Sequence, residues 1–244
     1  MKAKTIKKIC NNKFHHWLMT IPNEGNEELK KLIQENTIIT GGAIVSMLLN
    51  EEVNDFDLYF RNKETAVKVA EYYTKLFIDK HPNICDGSVN GERLLPKVIE
   101  TATGAKVYIK SAGALSAESD NLSYSYFEGF TDHNPENTDS YVDALTSVLQ
   151  TDSNVPNYHP IFITDNAITL KNQMQIVLRF TGEPDTIHDT YDFVHCKCYW
   201  TSWNNELELP KDALEAILTK ELIYTGSQYP ICSIIRTRKF IQRG

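Results

Sequence analysis

Across residues 40–60, TGGAIVSMLLNEEVNDFDLYF, a Gly-Gly pair stands ahead of a short apolar helix, a polar turn and a strand that carries Asp55 and Asp57. Side chains on a strand repeat their direction every second residue, so the two carboxylates share a face, about 7 Å apart along the chain. Paired carboxylates suit Mg²⁺ or Mn²⁺, hard cations that take oxygen ligands and are commonly shared with substrate phosphates. Gly41 and Gly42 supply what such a site needs opposite them. Glycine lets the backbone approach a ligand closely, and the free amides at the start of the next helix attract phosphate oxygens.

Each part has a plainer reading. An Asp-x-Asp at a strand end is often a solvated rim, and a lone Gly-Gly is an ordinary turn. Order and context give the combination its weight: an apolar strand at 37–40, the glycines, an apolar helix at 43–49, then Asp-Phe-Asp-Leu-Tyr-Phe.

Gly-Gly, a helix and then Asp-x-Asp resembles the signature of the DNA polymerase β-like nucleotidyltransferases, and the interval from Gly42 to Asp55 is similar to that of the CCA-adding enzymes and poly(A) polymerases. Where those enzymes carry an Arg-Asp pair early in the helix, this chain has Val45-Ser46. The resemblance implies an α+β fold: a nucleotidyltransferase-like mixed β-sheet with helices packed on it, plus C-terminal helices. It implies an enzyme that transfers a nucleoside monophosphate from a nucleoside triphosphate, with RNA, a protein or another nucleotide as acceptor. In that reading Asp55 and Asp57 bind the metal ions, Gly41 and Gly42 hold the triphosphate, and Ser46 contacts a phosphate. A third carboxylate is expected on a neighbouring strand. Asp192, in the aromatic and β-branched stretch 190–196, is the first choice and Asp189 its rival. The alternative from another class is a catalytically inactive protein of that fold, acting as a phage structural or binding component. Residues 166–170, 175–180, 190–196 and 229–244 are similar to uncharacterised phage proteins with nucleotidyltransferase-like domains, which points to a phage or host protein partner.

A chain of 244 residues can bury a sizeable core. No apolar run approaches the roughly 20 residues that span a bilayer, and the basic start Met1-Lys2-Ala3-Lys4 lacks the apolar stretch of a secretory signal. The expected setting is cytoplasmic, in the host during infection, or the virion. The odd count of five cysteines fits reduced thiols, and Cys196-x-Cys198 is spaced too closely for structural zinc. A net charge of −7 argues against a surface that grips nucleic acid throughout. The lysines at 2, 4, 7, 8 and 13 read as a solvated helix face.

Periodicity predicts helices at 26–36, 64–79 and 211–222, with another from Pro230. Strands are expected at 106–110, 161–164, 167–170, 175–180 and 191–199. Residues 111–160 hold no Lys or Arg, are rich in Ser, Asn, Asp and Tyr, and read as a polar insertion. The division expected is a domain at 1–200 carrying that insertion and a C-terminal helical segment at 201–244. In the last helix Arg236, Lys239 and Arg243 form a basic stripe beside an apolar one. It is weakly similar to the arginine-bearing helix that follows the catalytic domain of CCA-adding enzymes, which implies nucleotide contacts for Arg236 and Lys239.

Overall fold

The computed structural model of the chain describes residues 1–80, 88–89, 92–93, 96–108, 113–115, 150–151, 153–227 and 230–243. They form an α+β fold, as expected, in two compact units: Met1–Asn62 with Thr181–Gly244, and Lys63–Phe180.

The first unit begins with helix α1 (Ala3–Thr20), which buries Ile6, Cys10, Phe14 and Trp17 at intervals of three and four residues. Helix α2 (Glu27–Asn36) buries Leu29 and Ile33 and runs directly into strand β1 (Thr37–Thr40). The junction is held by Thr37 Oγ1, which donates to Ile33 O at 2.7 Å, and by Asn36 Nδ2, which donates to Leu32 O at 2.7 Å. Helix α3 (Gly42–Leu49) and strand β2 (Phe56–Phe60) follow. Between them Asn50 closes α3 in the left-handed conformation at φ +61°, which Asn tolerates better than most residues.

The second unit opens with helix α4 (Lys63–Lys80), which buries Ala66, Val69, Ala70, Tyr73 and Phe77. Short strands β3 (Ser88–Val89) and β4 (Glu92–Arg93) pair with each other, as do β5 (Lys97–Glu100) and β6 (Ala105–Tyr108). The turn between β5 and β6 requires Gly104, because a Cβ there would stand 2.2 Å from Leu178 O. Strands β7 (Gly113–Leu115), β8 (Pro160–Thr164), β9 (Ala167–Leu170) and β10 (Met174–Thr181) pair in sequence, all antiparallel. The β9–β10 hairpin turns on Asn172 and Gln173, both at positive φ, a requirement of tight hairpins matched to strand twist. Helix α4 packs on β5, β6 and β8. Most of the polar insertion and the last two residues of the strand expected at 106–110 lie outside the described residues.

The chain returns to the first unit with helix α5 (Pro184–His188) and a 3-10 turn at Val194–Cys196. Strands β11 (Tyr199–Thr201) and β12 (Glu206–Glu208), helix α6 (Lys211–Thr219) and helix α7 (Pro230–Arg243) complete it. Its strands run β12-β11-β1-β2, each pair antiparallel, with Ile39 opposite Trp200 and Leu58, and Thr40 opposite Tyr199 and Asp57. The Phe14 ring of α1 lies tilted against Trp200, centroids 5.4 Å apart, which seats α1 on this sheet. Fully buried side chains of this size contribute about 1.5–3 kcal/mol each, so the α1 face is a main source of the unit's stability.

Two expectations are corrected here. Residues 191–199 do not form a strand: 192–194 pair with 223–225 through Val194 N–H to Ile223 O and Thr225 N–H to Asp192 O, and the chain then tightens into the 3-10 turn. The aromatic and branched residues that suggested a strand, Phe193, Val194 and His195, are buried because α6 packs on that turn. Helix α6 stops at Thr219 instead of 222, since Lys220 turns left-handed at φ +57° and Glu221 N–H bonds back to Ala216 O. Residues 201–244 also contribute β12 to the sheet.

Candidate functional site

The glycine turn and the second aspartate of the pair do meet. Gly41 sits between β1 and α3 at φ +87° and ψ −146°, a region open in practice to glycine alone. A Cβ there would lie 3.3 Å from Asp57 Oδ2 and 3.6 Å from Tyr191 Oη. Gly42 is the first residue of α3, a helix begun without a side-chain cap. Asp57 lies across from Thr40 in the β1–β2 ladder. Burial, reinforced by the charge of Asp55 and opposed by Arg236, pushes its carboxyl up to about 7. Asp55 itself is exposed, just ahead of β2.

Around Asp57 lies a polar network that sequence reading missed. Tyr59 and Tyr191 hydrogen-bond each other, Tyr191 also engages Thr40, and both phenols are raised, chiefly by burial. Thr40 Oγ1 donates to Cys198 O at 2.9 Å and lies 2.8 Å from His188 Nε2. With its proton given to the carbonyl, the hydroxyl accepts from Nε2–H, which sets the tautomer of His188. Burial, reinforced by Lys197, brings His188 down to about 4, so the ring is neutral. The only sequence signal for this network was the polar alternation inside otherwise apolar strands. Lys13 was also misread: its ammonium lies 4.9 Å from the Phe56 ring centroid, and burial brings it down to about 8 while Asp55 opposes that fall.

Helix α7 supplies the cations. Arg236 Nη1 donates to Asp192 Oδ2 at 2.5 Å, with the carboxylate nearly buried. Arg243 Nη2 donates to Ser46 Oγ at 2.9 Å and the guanidinium pairs with Glu51. Phe240 meets the His195 ring edge-on at 4.5 Å. Lys239 is exposed on the same helix. Asp192, expected on a strand beside the aspartate pair, is instead held in a loop by a guanidinium, and Asp189 caps α5. Among the described residues no group of three or more His, Cys, Asp or Glu side chains could hold a metal ion. Cys10, Cys196 and Cys198 are free thiols, each pushed up to about 12 chiefly by burial, and therefore protonated and inert.

A family model described as Gabija anti-defense 2 family protein matches residues 8–220. The chain belongs to that family. A protein named Gabija anti-defense 2, from Bacillus phage SPbetaL7, is 36% identical over 59 residues, which are 23% of this chain and 15% of the relative. The chain thus aligns with less than a fifth of that relative's length. Membership of the Gabija anti-defense 2 family replaces the nucleotidyltransferase resemblance, which rested on a short Gly-Gly and Asp-x-Asp pattern, whereas the family match runs through nearly all of the chain. The transferase function and the nucleotide-, ATP- and metal-binding character drawn from that resemblance are withdrawn with it. The likeness to phage proteins agrees with the phage origin of the relative. No helix among the described residues is long and apolar enough to cross a membrane.

Proposed function

We propose that this protein acts as a binding component: in the cytoplasm of an infected bacterium it attaches to a protein of the Gabija defence and blocks it by occupancy, without transferring a group. The observation that carries this reading is the family match over residues 8–220, to a family described by opposition to that defence.

A contact surface is available in the first unit. Leu218 is 83% exposed, and Leu222, Ile223 and the half-exposed Tyr224 follow within six residues. Consecutive exposed apolar and aromatic side chains near charged neighbours are the composition of a protein-binding patch, in which Tyr commonly contributes a large share of the energy. The experiment mixes the purified chain with purified Gabija proteins and follows their mass by size-exclusion chromatography with light scattering, alongside phage plating on a Gabija-bearing host that expresses the chain. A stable complex together with restored plating is expected. Restored plating with no complex at micromolar concentrations would point to action by chemistry and overturn the proposal.

A further inference from the structure

Within the first unit, residues 221–226 are all exposed, in the segment that leaves α6 and precedes α7. Phe193 and Tyr224 form an antiparallel bridge there, flanked by Val194 N–H to Ile223 O at 3.0 Å and Thr225 N–H to Asp192 O at 2.9 Å. Thr225 Oγ1, donating to Tyr191 O at 2.6 Å, pins the same pairing. In an antiparallel pair, residues alternate between turning both backbone groups toward the neighbouring chain and turning both away. The two flanking bonds belong to Ile223 and Thr225, so the N–H and C=O of Tyr224 turn outward. Among the described residues neither of those groups has a hydrogen-bond partner.

The contrast with β12 shows how open this edge is. Strand β12 ends the sheet and carries Glu206 and Glu208, both exposed, charges of the kind that keep a further strand from adding. The run 222–225, Leu-Ile-Tyr-Thr, carries no charge at all. We propose that the Gabija protein that is blocked attaches here by adding an extended strand of its own alongside residues 222–225, exchanging backbone hydrogen bonds with Tyr224. The inference rests on the blocking proposed above and supplies its mode. Hydrogen bonding selects the occupant. A helix uses its backbone groups internally, whereas an extended segment offers N–H and C=O at the spacing that this edge presents. Side chains narrow it further. The Tyr224 ring lies 5.8 Å from Phe193, which lies 5.4 Å from Phe240, so this face of the edge is an aromatic row. The residue that the incoming strand sets opposite Tyr224 is therefore aromatic or β-branched, the types that pair best across strands with an aromatic ring.

The test is amide hydrogen exchange, resolved to single residues, on the full chain alone and mixed with the purified Gabija proteins. Dissociation constants are measured for the wild type, Tyr224→Pro and Tyr224→Ala. Proline removes the outward N–H and suits an edge position, whereas alanine keeps the N–H and loses only the ring. Circular dichroism confirms that each variant is folded. In the complex the Tyr224 amide should exchange at least tenfold more slowly than in the free chain, and Tyr224→Pro should bind at least tenfold more weakly than Tyr224→Ala. A complex whose Tyr224 amide exchanges as it does in the free chain overturns the inference and leaves the blocking itself standing, and so do folded proline and alanine variants of equal affinity. Should Tyr224→Pro not fold, the exchange of the wild-type amide decides alone. Protection that grows with concentration in the chain by itself, with a doubled mass by light scattering, assigns the edge to a second copy and overturns the inference as well. No complex at micromolar concentrations overturns both this inference and the blocking on which it rests.

Discussion

Asp57 is the residue on which sequence and structure disagree most usefully. Read from the sequence it is one of a pair of ionised carboxylates, yet in the fold it is half-buried beneath Gly41 and beside Asp55, with its carboxyl pushed up to about 7. A raised acid binds protons in the folded state that the unfolded chain, near 3.8, has already released. Its effect on stability is therefore neutral below about pH 3.8, increasingly unfavourable as pH rises to about 7, and constant beyond. Asp57→Asn should gain on the wild type by about 1–2 kcal/mol between pH 5 and pH 8, a figure discounted for the solvent the carboxyl still meets. Urea unfolding at the two pH values checks this, and an equal difference at both would place Asp57 in the ordinary carboxylate range. His188 works in the opposite direction, since a base lowered to about 4 loses stability as pH falls from 6.5 to 4. At Gly41 the backbone itself is the constraint. Gly41→Ala should cost about 1–3 kcal/mol, from strain at φ +87° and from a Cβ pressed on Asp57 Oδ2, and an unchanged Tm by calorimetry would refute it.

Among the elements, helices with one apolar stripe were legible in the sequence because their period records which face is buried, as α2 and α4 show. The strands β1, β2, β9 and β10 were legible for the matching reason of alternation and turn chemistry. The stretch 190–199 was not, because burial of Phe193, Val194 and His195 under α6 leaves the same apolar mark whether the backbone is extended or coiled into a 3-10 turn. Helix α7 was legible as a helix and its cations as a stripe, but their partners belong to α3 and to the loop before the 3-10 turn, far away in sequence. Arg236 is the closest of these contacts to a buried charge. Arg236→Ala leaves the Asp192 carboxylate nearly buried and unpaired, which should cost about 1–2 kcal/mol, while Arg236→Lys should recover part of it. Hydrogen exchange across α7 gives the local readout. If α7 amides exchange as slowly in Arg236→Ala as in the wild type, the ion pair does not hold the helix down.

For the whole molecule, the proposed blocking of a Gabija protein calls for a contact surface, and the exposed run from Leu218 to Tyr224 is the one proposed in the first unit. The variant Leu218→Glu changes an exposed side chain and should leave Tm within about 2 °C of the wild type. The same variant should lose the complex with the Gabija proteins and the restored plating, and retention of both would move the contact elsewhere. By itself the sequence determined the α+β class, the helices α2, α3 and α4, the strands β1, β2, β8, β9 and β10, the absence among described residues of a membrane-crossing helix, and the Gly-Gly and Asp-x-Asp segment, since each of these is written in local composition and period. Tertiary structure alone decided that Asp192 meets Arg236, that Ser46 meets Arg243 and that Asp57 is held near neutrality. Those outcomes depend on desolvation and on pairings between residues separated by tens to hundreds of positions, and neither quantity leaves a periodic trace along the chain.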